Sequence, residues 1–158
     1  MTAMSPSTIL AGTAALIWRL LLVAVAAAPC ARAADKVSIR NLDPPGAFAV
    51  VNSGPAVSLK TRLSVERLDG GNWVPVEAVV DLVAVCNMPP IPSCTTLAAG
   101  ATLAPPRWNG LQCGGQCAEG CRANAYHGPG RFRFMATSCD GGATFAGPPF
   151  DLPGAAPK

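Results

Sequence analysis

The sequence predicts an all-β, single-domain antiparallel sandwich held by disulfides, and three observations predict it. Short apolar runs recur between Gly/Pro-rich turns, and one of them, residues 57–66, alternates strictly between apolar and polar side chains. No stretch beyond the N-terminal region carries a convincing long helical pattern, and six of the seven cysteines lie between Cys86 and Cys139. Three of them, Cys113, Cys117 and Cys121, fall within nine residues and run into a Gly-Pro-Gly turn and a strand pattern, so the covalent framework and a sheet must meet there.

The N-terminal region reads as a leader. Residues 20–28 (LLLVAVAAA) form an apolar run preceded by Arg19 and followed by Ala31-Arg32-Ala33, an A-x-A cleavage pattern. The expected division is a signal peptide over 1–33, a disulfide-stapled domain over 34–152 and a flexible tail over 153–158. Arg19 disfavours an uncleaved anchor, because a charge at the centre of a membrane helix costs roughly 2.5–3.5 kcal/mol on insertion scales. No stable membrane span is expected after cleavage. Cys30 fits a lipobox poorly, since Pro29 stands where lipoprotein signals carry Gly, Ala or Ser.

Loss of the leader removes Arg19, Cys30 and Arg32, leaving 10 Lys+Arg against 9 Asp+Glu. That balance argues against a nucleic-acid partner or a polybasic membrane contact. The six remaining cysteines, Cys86, Cys94, Cys113, Cys117, Cys121 and Cys139, are the mark of a disulfide framework in a secreted or periplasmic chain. Three bridges at roughly 2–4 kcal/mol each would rival a net stability of about 5–15 kcal/mol, so they are expected to be essential to folding. Their pairing is open, with proximity alone favouring Cys86 with Cys94. Abundant Ala, Gly and Pro point to a GC-rich bacterial genome.

In order, residues 36–42 and 48–52 are strands separated by the turn Asp43-Pro44-Pro45-Gly46. Residues 57–66 place Val57, Leu59, Thr61, Leu63 and Val65 on one face, with Ser58, Lys60, Arg62, Ser64 and Glu66 on the other. Asp69-Gly70-Gly71-Asn72 makes a hairpin turn. Residues 73–86 are valine-rich and β-prone, and Pro75 must lie at an edge or in the strand's first residues because it removes a ladder donor. Residues 87–93 (NMPPIPS) form a loop, and residues 96–103 a short strand around Gly100. Residues 131–139 form the last clear strand, with Phe132, Phe134 and Ala136 on a shared face. A closing strand over 144–152 is broken by Gly147-Pro148-Pro149.

Leu97-Ala98-Ala99-Gly100, Trp108 and Pro129-Gly130-Arg131-Phe132-Arg133-Phe134 resemble the L-x-P-G, W, P-G-x-Y-x-F/V pattern in the second half of many bacterial extracytoplasmic immunoglobulin-like domains. Ala99 replaces the usual proline and Phe132 the usual tyrosine. The resemblance implies an immunoglobulin-like antiparallel β-sandwich of about seven strands and carries no activity, because the motif is turn chemistry. The cysteine-rich block is similar to that of small secreted bacterial proteins of no established role.

Four constellations can carry chemistry. Cys113, Cys117, Cys121 and His127 supply three thiolates and an imidazole, a zinc-like set, although disulfides are expected outside the cytoplasm. The segment from Cys86 to Cys94, if closed, resembles the reactive loop of Bowman-Birk protease inhibitors. Met88 would then take the specificity position and Pro89 the position after the scissile bond, where proline is normally rejected. Lys60, Arg62, Arg131 and Arg133 would form a basic face for an anionic glycan or lipid head group if the Val57 and Phe132 strands share a sheet. Trp73 and Trp108 are either sugar platforms or packing residues.

No catalytic residues, metal site or cofactor are expected. His127 is the only histidine, and G-x-S-x-G, C-x-x-C and C-x-x-C-H patterns are absent. The expected function is a monomeric, non-enzymatic binding or structural module of the cell envelope or secreted fraction, with a protein or glycan partner. The alternatives are a protease inhibitor displaying the Cys86 to Cys94 loop and a metal or redox site between Cys113 and His127.

Overall fold

The structure, a computed structural model, describes residues 36–83, 92–114 and 124–154. The chain divides into two compact units, Met1–Cys30 and Ala31–Lys158, and all described residues belong to the second. The expected signal peptide over 1–33 lies outside the described residues. No helix among the described residues is long and apolar enough to cross a membrane.

The described residues are all-β. They form β1 (Val37–Leu42), β2 (Ala47–Asn52), β3 (Val57–Lys60), β4 (Arg62–Asp69), β5 (Asn72–Asp81), β6 (Cys94–Leu97), β7 (Thr102–Leu103), β8 (Gly130–Thr137), β9 (Thr144–Ala146) and β10 (Phe150–Leu152). One sheet has the order β1-β2-β7, a second the order β10-β8-β4-β5 with β9 also on β8, and β3 pairs β6. Every one of these pairings is antiparallel.

Among the described residues ten strands stand where the sequence predicts about seven, because three predicted elements divide. Residues 57–66 keep their alternation, with Val57, Leu59, Thr61, Leu63 and Val65 all buried, but change partner at Thr61. The Thr61 amide donates to the Ser93 carbonyl, and its own carbonyl accepts from the Leu82 amide, so the neighbouring strand is handed over at this residue. Its hydroxyl lies 3.0 Å from that of Thr95. The predicted strand over 96–103 splits at Gly100, whose φ of +71° makes a turn that sends β6 to β3 and β7 to β2. The closing segment divides at Gly147-Pro148-Pro149, where the sequence places the break.

Pro75 lies in β5, which among the described residues is the edge of its sheet, where no second strand asks for its missing donor. The predicted turn after β8 forms as well. The Asp140 carboxylate accepts from the Gly142 amide at 2.9 Å and from the Ser138 hydroxyl at 2.5 Å.

The core unites both larger sheets. Val37, Ile39, Phe48 and Val50 from the three-stranded sheet pack in one cluster with Leu63, Val65, Val80, Phe132, Phe134, Phe150 and Leu152 from the other. The Phe48 and Phe134 rings approach to 4.1 Å between centroids, and Phe134 stacks on Phe150 at 4.8 Å. Trp108, 1% exposed, meets Phe132, Phe134 and Phe150 edge-on. This layered packing fits a β-sandwich.

One buried polar residue closes the core's end. Asn52 donates its amide to the carbonyls of Pro55, Leu97 and Ala98 and accepts from the Gly54 amide, tying β2, the following loop and β6 together. Asn52→Ala should therefore cost roughly 1–3 kcal/mol, because it strands buried carbonyls without a donor. A urea midpoint unchanged within error would contradict that role.

Candidate functional site

The cysteine-rich segment is positioned by a bulge in β5. Leu63 pairs with Val80 but Val65 with Val76, so residues 77–79 bow out opposite Ser64. Two stretches dock there. The Gln112 amide donates to Ala125, the His127 amide donates to Gly110, and Leu111 bridges Tyr126 antiparallel, which makes a short paired stem. The Val79 amide donates 2.7 Å to the Gln112 carbonyl and joins the stem to the sheet edge. Gly114, at φ +64°, lets the backbone pass where a Cβ would lie 2.9 Å from the Val79 carbonyl.

Side chains lock the stem from both sides. The Trp108 indole N–H donates to the Leu111 carbonyl at 2.8 Å, and the Cys113 amide to the Asn124 side-chain oxygen at 3.0 Å. The Tyr126 hydroxyl donates to the Pro153 carbonyl at 2.7 Å, so the first residue of the predicted tail is held.

His127 Nε2 lies 2.6 Å from the Glu77 carbonyl, a contact that requires the proton on Nε2. The imidazole thus fastens the stem to the bulge. Cys113 is disulfide-bonded, so it does not offer a free thiolate to a metal, and among the described residues no three His, Cys, Asp or Glu side chains converge. Cys117 and Cys121 lie outside the described residues.

Proximity misleads on the remaining pairing. Cys94 is bonded to Cys139, not to Cys86, across 45 residues of sequence with 6.0 Å between Cα atoms. The reason is tertiary: Cys94 opens β6, Cys139 follows β8, and both strands flank β3, where Lys60 pairs with Cys94 and the Ser58 carbonyl accepts from the Cys139 amide. The closed Cys86 to Cys94 loop on which the inhibitor reading depended is therefore not made. Cys86, Met88 and Pro89 lie outside the described residues.

The basic face is also rewritten by register. The Val57 and Phe132 segments do lie side by side, but each arginine meets an acid. Arg133 pairs with Glu66 at 2.6 Å, Arg62 with Asp81 at 2.9 Å, and Arg131 stands opposite Asp151 in the ladder. The hydrogen bond to Asp81 pushes the Arg62 guanidinium up from its usual value. A raised cation contributes stability below its unfolded pKa and loses it only as pH rises through the folded value, so this pair adds no acid-side pH dependence through arginine. Arg62 is 58% exposed, and water screens the pair. Arg62→Ala should cost no more than about 1 kcal/mol, and a larger fall in urea midpoint would contradict this.

The two tryptophans separate. Trp108 belongs to the core, whereas Trp73 is half-buried on the sheet exterior with the Arg133 guanidinium 4.4 Å from its ring centroid. On the sheet exterior, Glu66, Arg133 and Trp73 thus form one intramolecular cluster, in which the arginine covers a ring face that a sugar would need. Sequence reasoning missed this cluster and the docking of residues 77–79, since both depend on cross-strand register. The chain matches no protein-family model, no curated protein and no solved structure.

Proposed function

We propose that this chain is an exported, immunoglobulin-like β-sandwich module that binds or scaffolds in the cell envelope or secreted fraction without catalytic chemistry, its partner a protein or glycan. The observation that carries this reading is the Cys94–Cys139 disulfide, which ties β6 to the end of β8 and fits an oxidising compartment. The reading is also supported by how the polar side chains are spent. Arg62, Arg133 and His127 are engaged in contacts that hold strands and stem together.

The test is the intact mass of protein exported by a bacterial host, with thiols alkylated before and after reduction. A chain starting near Ala34 that takes up alkylating agent only after reduction is the expected result. Uptake at three or more cysteines before reduction, or retention of residues 1–33, would overturn the exported-scaffold reading.

A further inference from the structure

We propose that the Cys94–Cys139 disulfide is a reducible clasp, opened by attack of a dithiol reductant on Cys94, which frees β6 while the aromatic core stays folded. The proposal rests on the exported, oxidised state described above. Its first support is access. Cys94 is exposed and Cys139 only partly so, and an attacking thiolate needs a clear path to the sulfur it strikes.

The second support is an asymmetry in what holds the two half-cystines once the bond is gone. On the Cys139 side, the Cys139 amide donates to Ser58, and Ser138 is fixed by bonds with Asp140 and Ala143. That side stays in place without the sulfur bridge. On the other side, β6 has four residues, pairs among the described strands with β3 alone and places only Leu97 in the core. Near Cys94 it is held by the Thr61 amide on the Ser93 carbonyl and the Thr61–Thr95 hydroxyl contact, polar bonds that water can replace once the bridge opens. Asn52 grips the far end of β6 through the Leu97 and Ala98 carbonyls, so release must start at Cys94 and run toward Leu97. The rings of Phe48, Trp108, Phe132, Phe134 and Phe150 come from other segments.

The chemistry balances as a two-electron exchange. One thiolate of the reductant forms a bond to the Cys94 sulfur, and Cys139 leaves as a thiolate that takes up a proton. The reductant's second thiolate then attacks its own sulfur in the mixed disulfide, expelling Cys94 and leaving the reductant as a disulfide.

Treatment of the exported protein with graded dithiothreitol and no denaturant, followed by alkylation, peptide mapping and amide exchange, tests the clasp. Cys94 and Cys139 should be labelled with exchange at Thr95 and Thr96 rising at least tenfold and Phe132 and Phe134 unchanged. Glutathione should be trapped on Cys94. The double variant C94S/C139S should keep the near-ultraviolet dichroism of buried Trp108. Labelling that needs denaturant, a glutathione adduct on Cys139, exchange at Phe134 rising in step, or an unfolded double variant would each overturn the proposal. Free Cys94 and Cys139 before any reductant would instead sink the exported-scaffold reading and the clasp with it.

Discussion

Trp108→Ala is expected to destabilise the protein by about 3–5 kcal/mol, a large share of the roughly 5–15 kcal/mol net stability of an ordinary domain. The indole is buried where Phe132, Phe134 and Phe150 meet, with centroids at 5.3, 6.2 and 6.3 Å. Truncation opens a cavity that three rigid rings cannot close by rotation, and it also removes the donor to the Leu111 carbonyl. Because that carbonyl belongs to the stem that docks on β5, the loss should reach the cysteine-rich segment. Urea unfolding checks the magnitude, and amide exchange at Gln112 and His127 checks the spread. A loss below about 1 kcal/mol would mean that the ring does not carry the core.

Gly46→Ala is expected to be nearly as damaging, and for a different reason. Gly46 ends the turn between β1 and β2 at φ +86°, a conformation that costs an L-residue about 1–2 kcal/mol by itself. Here a Cβ would also lie 2.1 Å from the Trp108 carbonyl oxygen, and the Trp108 amide already donates to the Gly46 carbonyl at 3.0 Å. Backbone must therefore move on one side or the other. Gly100→Ala is the control, since its φ is +71° but nothing lies within 4 Å of the added atom. It should show the conformational cost alone. Equal shifts in urea midpoint for the two variants would show that the contact with Trp108 carries no weight.

These two positions indicate what one-dimensional information reaches. Trp108 is legible as an apolar side chain before the cysteine cluster, and Gly46 as a turn residue, but their meeting is not. Alternation of side chains assigns the faces of residues 57–66 and of the Phe132 strand, because the period of two holds whatever the partner. It is silent on Thr61, where the chain bends and its strand partners change. The same limit applies to charge. Lys60, Arg62, Arg131 and Arg133 read as one basic patch along the chain, and the antiparallel register sets Glu66, Asp81 and Asp151 against three of them.

The sequence by itself determined the all-β character, the buried faces, the turn at Gly46 and the break at Gly147, and it confined Pro75 to an edge or a strand's first residues, since each follows from local backbone chemistry or side-chain period. Tertiary structure alone decided that Cys94 joins Cys139, that His127 binds the Glu77 carbonyl and that Asn52 holds the end of the core. Those choices depend on which segments come within bonding distance after folding. Disulfide and hydrogen-bond partners are selected by proximity in space, and proximity along the chain carries little of it once strands separated by 45 residues lie on the flanks of a third.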